Sequence, residues 1–229
     1  MKPLPFLILL SLANAGMTGA ADQMVMLSGG GSLIWKEEHQ TIGTNCIADR
    51  KWVEVFGLPS KAVEEKINSW IRKSISVGQK LTGRSCPDKE SGESYRYYNT
   101  VDFTGQHAAL LGLKTSVHFP GGTGRHVIAC VSVDTMDGSV IRFERLLTKE
   151  GRKLLATEYC KQIAADPLSG EKKDYYCELG KYNAVNDSIF CLKDDGIEAL
   201  APFNGNWRMI GSSIKIPFSE TSKYFLYSH

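Results

Sequence analysis

Two blocks of strict apolar–polar alternation constrain this chain more than any other feature. They run from residue 109 to 119 and from 126 to 134, with Pro120-Gly121-Gly122-Thr123-Gly124 between them. In the first block Ala109, Leu111, Leu113, Val117 and Phe119 share one face, and Gly112, Lys114, Ser116 and His118 share the other. In the second, Val127, Ala129, Val131 and Val133 face inward, against His126, Cys130, Ser132 and Asp134 outward. A period of two is the strand period. A glycine-rich turn between two such strands closes an antiparallel hairpin. Asp137-Gly138 supplies a second turn before Ile141 and Phe143. Residues 109–119, 127–133 and 141–145 are therefore expected as three neighbouring antiparallel strands.

The period changes elsewhere. After Pro59-Ser60, the residues Val63, Ile67, Trp70, Ile71 and Ile75 recur at helical steps, with Glu64, Glu65, Arg72 and Lys73 on the rest of the cylinder and Gly78 as the expected stop. A second helix is expected from Thr148 to Ala165, carrying Leu155, Tyr159 and Ile163 on one stripe. Strand-like runs return at 188–192, 197–200 and 214–218, the first two joined by an Asp194-Asp195-Gly196 turn. Residues 42–56 read as one or two further strands, and Cys86 to Gly92 as a polar loop. Helices and strands cluster instead of alternating, which predicts an α+β fold: an antiparallel sheet with helices packed on one face.

The N-terminus reads as a leader. Met1-Lys2-Pro3 precedes an apolar run from Leu4 to Leu12 and the small residues around Ala15. One charge, a short apolar stretch and a small-x-small site make a signal peptide, with cleavage after Ala15 or Ala21. That run is too short to span a bilayer, and no later stretch approaches the roughly 20 residues needed. The expected organisation is a signal peptide over 1–21, a flexible segment over 22–39 containing Ser28-Gly29-Gly30-Gly31-Ser32, and one domain over 40–229. The expected location is periplasmic or secreted. Apolar residues make up 42% of the 229, enough for a core without help. Formal net charge is +2, about +1 without Lys2, too small for tracking a phosphate backbone; nucleic acid is excluded as a partner.

Six cysteines in an exported chain predict disulfides. No pair has C-x-x-C spacing, which argues against zinc ribbons and dithiol redox chemistry. Cys160 near the end of a helix and Cys177 beyond a loop punctuated by Asp166-Pro167 are one expected pair. Cys130 and Cys191, both on strands, are a second. Cys46 with Cys86 follows by elimination.

Three ordered segments carry a resemblance. Val53-Glu54-Val55-Phe56-Gly57-Leu58 and Ala62-Val63-Glu64-Glu65-Lys66-Ile67-Asn68 form the first. Gly124-Arg125-His126, Ser132 to Gly138 and Arg145-Leu146-Leu147 form the second. Phe190 to Ile197 and Gly211 through Ile216-Pro217-Phe218-Ser219 form the third. Together they resemble the extracytoplasmic domain of unknown function shared by RsiV-type anti-sigma factors, which bind lysozyme, and the N-terminal part of PdaC-type peptidoglycan deacetylases. The resemblance implies a sheet packed against helices that senses or binds and does not catalyse. Pro202-Phe203-Asn204-Gly205-Asn206-Trp207 stands where that family has an aromatic-rich stretch.

A search for chemistry finds no Gly-x-Ser-x-Gly and no His-Glu-x-x-His. His39, His107 and His229 lie in segments without acids at helical spacing. Aligning the apolar faces of the two alternating blocks sets His118 opposite His126, close enough for two imidazoles to meet. Without a third ligand they are read as a hairpin pair, so no metal and no cofactor is expected. Tyr95, Tyr97, Tyr98, Tyr175, Tyr176 and Trp207 could stack on sugar rings or anchor a protein. The candidate binding residues are His118, Arg125, His126 and Trp207. The expectation is a non-enzymatic binding or sensing module. Its partner would be an envelope or secreted protein, lysozyme-like by the resemblance, or alternatively a peptidoglycan fragment. An unrecognised hydrolase is the least favoured reading.

Overall fold

The structure is a computed structural model that describes residues 24–42, 46–83, 95–119, 125–165, 174, 175, 177, 178, 190–199 and 214–226. The expected leader, the Cys86–Gly92 loop and Trp207 lie outside these residues.

The main sheet has seven strands in sequential order: β1 (Val25–Met26), β2 (Ser32–Ile42), β3 (Cys46–Phe56), β4 (Tyr95–His107), β5 (Leu110–Phe119), β6 (Arg125–Asp134) and β7 (Val140–Ile141). All neighbours are antiparallel except β3 and β4, which are parallel and joined through helix α1 (Lys61–Gly83). Parallel neighbours require a crossover, and an amphipathic helix supplies it while covering one sheet face. Ile67, Ile71 and Ile75 of α1 bury against Val53, Val55, Val101, Leu111, Leu113 and Val133. Val63 and Trp70 pack half-buried at the margin of this core. The helix continues past Gly78 to Gly83, so this glycine is tolerated inside the helix and does not end it.

Leu110 and Leu111 are both buried but belong to different cores. Successive strand residues point to opposite faces. The face away from α1 is therefore covered too, at one end, by a second sheet of β8 (Phe190–Leu192), β9 (Gly196–Ala199) and β10 (Ile214–Pro217). Helix α3 (Lys149–Ala165) joins that layer through Leu155 and Tyr159, with Phe225 from the chain's C-terminal part. Before it lies the short α2 (Phe143–Leu146), and after β10 come α4 (Phe218–Thr221) and a 3-10 turn over Ser222–Tyr224.

Two glycines make the seat for the second layer. Gly105 and Gly112 face each other in register across β4 and β5, beside a bulge at Phe103/Gly105. A Cβ on Gly112 would stand 2.7 Å from the Leu192 carbonyl oxygen, and one on Gly105 2.4 Å from Asp194 N. Polar bonds fasten the same joint: Thr104 Oγ1 donates to the Leu192 carbonyl at 2.7 Å, and Gln106 N–H donates to Asp194 Oδ1 at 2.9 Å. Asp194 thus works as a docking and turn residue. The Cys130–Cys191 disulfide crosses the joint, with Cα atoms 5.1 Å apart. A ring of that span contributes about 4 kcal/mol on the chain-entropy estimate. Cys160 and Cys177 are bridged at a Cα separation of 4.7 Å. Cys46 is also disulfide-bonded; its pairing with Cys86 lies outside the described residues.

Three further expectations are corrected. The segment over 22–39 is not a flexible link where it is described, because β1 and β2 lie there and enter the sheet with Leu27 and Leu33 buried. Ser28–Gly31 is a tight turn in which Leu27 N–H donates to the Gly31 carbonyl at 3.0 Å. Gly31 has φ +82° there, and a Cβ would lie 2.7 Å from the Phe56 carbonyl oxygen. The strand expected at 141–145 ends at Ile141 and gives way to α2. Finally, Cys130 and Ser132 are buried and not solvent-facing, because the second sheet covers their face.

Candidate functional site

Strand register assembles the site. His39 of β2 lies opposite Asp49 of β3, Asp49 beside Tyr98 of β4, Tyr98 opposite His118 of β5, and His118 opposite His126 of β6. Registered neighbours share a face of the sheet, with Cβ atoms about 4.5–5.5 Å apart. Five strands thus contribute one row, His39–Asp49–Tyr98–His118–His126. In β4 and β5 the row faces away from α1, because Tyr98 lies three residues from Val101 and His118 five from Leu113, both of which belong to the α1 core; this part lies beyond the end covered at Thr104, Gly112 and Cys130.

Asp49 organises one half of the row. Its residue is only 4% exposed, yet its carboxylate takes His39 Nδ1 at 2.6 Å and Arg96 Nε at 2.6 Å. A carboxylate only accepts, so Nδ1 of His39 carries the hydrogen. The other ring nitrogen, Nε2, lies 3.2 Å from Glu37 Oε1, and Lys51 Nζ lies 3.2 Å from the same oxygen. Two partners, one of them the Arg96 guanidinium, satisfy Asp49 and make its burial tolerable. His39 itself is exposed.

Tyr98 links the two halves. Its ring centroid is 6.0 Å from the His118 ring and 6.0 Å from the Arg96 guanidinium carbon. Tyr98 is 41% exposed, whereas Tyr97 is 1% exposed and belongs to the core. The tyrosine cluster read from the sequence therefore splits: Tyr97 packs, and Tyr98 faces out. Tyr175 is also exposed, while Tyr176 and the side chain of Tyr95 lie outside the described residues.

The expected opposition of His118 and His126 is present in the register, and Arg125 lies opposite Phe119. The side chains of Arg125 and His126 lie outside the described residues, as does Trp207. Sequence reasoning missed His39, Asp49 and Arg96. His39 has acids at strand spacing, Glu37 two residues back and Asp49 across the hairpin, whereas a search at helical spacing passes over both. His107 has a different environment. Its ring stacks against Phe218 and Phe225, at 4.1 and 5.0 Å, and burial pushes its pKa below the usual histidine value.

Chemically the row offers imidazoles that donate or accept, a phenol, a guanidinium and paired carboxylates, set on rigid strands. Such a surface can hydrogen-bond carboxylates, amides or sugar hydroxyls and stack on a flat or apolar group. Among the described residues, no three His, Cys, Asp or Glu side chains converge to hold a metal ion. No helix of the described residues is long and apolar enough to cross a membrane.

No family model and no curated protein matches the sequence. Solved structures do match. A member of the DUF3298 family from Bacteroides fragilis NCTC 9343 superposes with a TM-score of 0.59 at 13% identity, covering 87% of this chain and 95% of that one. A DUF3298 family protein from Pseudomonas aeruginosa PAO1 gives 0.51 at 10% identity, covering 85% and 93%. At such identities the likeness is one of fold. The chain's structural neighbours are thus proteins of a domain-of-unknown-function family.

Proposed function

We propose that this protein is an extracytoplasmic, non-catalytic binding module whose ligand lies along the His39–Asp49–Tyr98–His118–His126 row. The observation that carries the reading is the registration of five polar residues from five strands on one face, with His39 and Tyr98 exposed and Asp49 held beneath them. Residues on neighbouring strands keep their spacing without a ligand, so the row is preorganised and a partner loses little freedom in ordering it. The disulfides and the leader-like N-terminus support a place outside the cytoplasm. A protein of the envelope or its surroundings is the preferred partner, and a lysozyme is the first to test on the family resemblance. Exposed Tyr98 beside Arg96 favours a second reading, a peptidoglycan fragment stacked on the ring.

Calorimetric titration with lysozyme, run beside a peptidoglycan pelleting assay, tests both readings. Saturable lysozyme binding that weakens at least tenfold in a Tyr98→Ala, His118→Ala variant supports the protein-binding form. Pelleting lost in that variant, without lysozyme binding, supports the glycan form. Binding of either kind that the variant leaves intact removes the row from the function, and binding of neither refutes the proposal.

A further inference from the structure

Three connections between strands share a cavity of about 490 Å³ at one end of the main sheet. Ser28 and Gly29 come from the β1–β2 turn, Ala108 and Ala109 from the β4–β5 turn, and Asp134 and Met136 from the end of β6 and the turn after it. The three are fastened to one another. Ser28 Oγ donates to the Ala108 carbonyl at 2.8 Å, and Thr135 N–H and Thr135 Oγ1 both donate to the Ala109 carbonyl at 2.8 Å. Gly29 packs so closely on Thr135 that a Cβ there would lie 2.9 Å from Thr135 Oγ1. The fold itself therefore holds the cavity. Its volume falls in the ~300–1,000 Å³ range of small-molecule sites.

Ala108, Ala109, Leu110 and Met136 make the lining mostly apolar. Ala108 has φ +50°, a conformation that glycine adopts freely and that no other non-glycine among the described residues shares. An alanine kept at such a position retains a methyl group where glycine would have none. The polar groups are few, and their hydrogens are already placed. Ser28 is the one described lining residue with a side-chain donor, and its single hydroxyl proton goes to the Ala108 carbonyl or to Gln106 Oε1, at 2.8 and 3.1 Å. The Asp134 carboxylate takes one hydrogen bond, from Met136 N–H to Oδ1 at 2.7 Å, which fixes it beside Met136 and leaves Oδ2 for a ligand. Among the described residues no lysine, arginine or histidine pairs with it. Lys66, which reaches the same turn, donates to the Asp137 carbonyl at 3.0 Å. To a ligand these side chains offer acceptors and negative charge, and no donor.

We infer that this cavity binds a small organic cation with an apolar body, an alkylammonium by class, whose charge lies against Asp134. An ammonium group has three donors and no acceptor, which complements the side chains of the walls. Its hydrogen bond to a carboxylate is charge-assisted and so among the stronger ones. The apolar body gains from leaving water in proportion to the area that alanine, leucine and methionine cover. Met136, unbranched and 69% exposed, can adapt to bodies of different shape. A carboxylate on the same body would meet Asp134 with like charge and find no side-chain donor, so the site discriminates by the sign of the head group. The proposal uses no residue of the histidine row and stands apart from it.

Calorimetric titration of the purified, oxidised protein with n-octylammonium, n-octanol and n-octanoate tests it, since the three differ only in head group. Octylammonium should bind at one equivalent and at least tenfold more tightly than octanoate, with amide chemical shifts moving first at Ser28, Ala109 and Met136. Asp134→Asn keeps Oδ1 as acceptor for Met136 N–H and removes the charge. It should weaken octylammonium at least fivefold and leave octanol within twofold. Met136→Ala should weaken octylammonium and octanol alike, by at least threefold, and at this exposed position the thermal transition should not move. Absence of saturable octylammonium binding overturns the inference. So does equal affinity for octanoate, or a preference that Asp134→Asn leaves unchanged. Binding that both variants leave intact and that Tyr98→Ala, His118→Ala abolishes overturns it too, because the amine would then sit on the histidine row.

Discussion

Removing the side chain of Asn68 should cost about 3 kcal/mol of stability, although Asn68 touches no ligand and no charge. Asn68 lies on the sheet-facing side of α1, next to the fully buried Ile67, and is itself buried. Its Oδ1 accepts from Val55 N–H at 2.8 Å, and its Nδ2 donates to the Val55 carbonyl at 2.8 Å. The amide thereby replaces a neighbouring strand, because the ladder between β3 and β4 has ended at Trp52 and Val101, before Val55 is reached. Each bond contributes about 0.5–1.5 kcal/mol net, and each buried group left unpaired costs about 1–3 kcal/mol. Asn68→Ala loses both bonds and strands both backbone groups. Its loss should therefore reach a sizeable part of the ~5–15 kcal/mol typical of a domain. Urea unfolding of the oxidised protein reads the loss, and amide hydrogen exchange locates it: Val55 N–H should lose protection ahead of the rest of β3. Asn68→Asp keeps one acceptor, loses the donor and buries a charge, so it should be at least as damaging at pH 7. A change below 1 kcal/mol in Asn68→Ala, with Val55 still protected, would refute the argument.

Three further outcomes follow from the same structure. Glu64 accepts from the Gly57 and Leu58 N–H groups at 2.7 and 3.1 Å and pairs with Lys61, and these bonds, the Lys61 bond foremost, hold its pKa below the usual carboxylate value. A depressed carboxylate stabilises above its unfolded pKa and loses that contribution as pH falls through the folded one; Glu64→Gln should cost about 1–2 kcal/mol at pH 7, and urea titrations should show the gap closing below about pH 4.5. Burial lowers the His107 pKa, so the folded state resists its protonation and stability should fall as pH drops below about 6.5; a His107→Leu variant should show a shallower loss between pH 7 and pH 5 by thermal melting. Gly112→Val places carbon where Thr104 and Leu192 already stand, and should reduce stability by about 2–4 kcal/mol in urea titrations; a loss below 0.5 kcal/mol would mean that the second sheet can shift to make room.

The parts of the fold that were legible are those where one face is apolar and the other polar. The hairpin of β5 and β6, including the opposition of His118 and His126, follows from the alternation alone, because a one-residue slip would turn Leu111, Leu113, Val131 and Val133 outward. The α1 stripe is legible for the same reason. β2 was not, and the cause is physical. From Lys36 to Thr41 it carries no apolar alternation, and it is held by cross-strand polar pairs. Arg50 bonds Glu38 and Gln40, while on the other face Asp49 bonds His39 and Lys51 pairs with Glu37. Among the described residues it is an edge strand beyond its short pairing with β1, and charge is the usual protection of such an edge against unwanted pairing. The buried side of Cys130 and Ser132 was also hidden, since a polar-looking face is covered only when a distant segment folds over it. The Gly105–Gly112 pair that admits that segment is visible only once β4 and β5 are in register.

The candidate row was half legible, and the division falls at the parallel junction. His118 and His126 meet through a short turn, whereas Asp49 reaches Tyr98 only because α1 carries the chain across and sets β4 beside β3 in parallel. Nothing local to either strand specifies that register. What fixes it is where α1 is anchored: Glu64 on the backbone of Gly57 and Leu58 at its first turn, and Asn68 on Val55 one turn later. A shift of β4 by one residue would bring Tyr97 in place of Tyr98 beside Asp49, turning Tyr98 inward and separating Arg96 from its carboxylate. The polar clamps of the helix and the row are thus one construction. Glu64 and Asn68, both within the helical segment of the resemblance, act on the row by holding its strands in register.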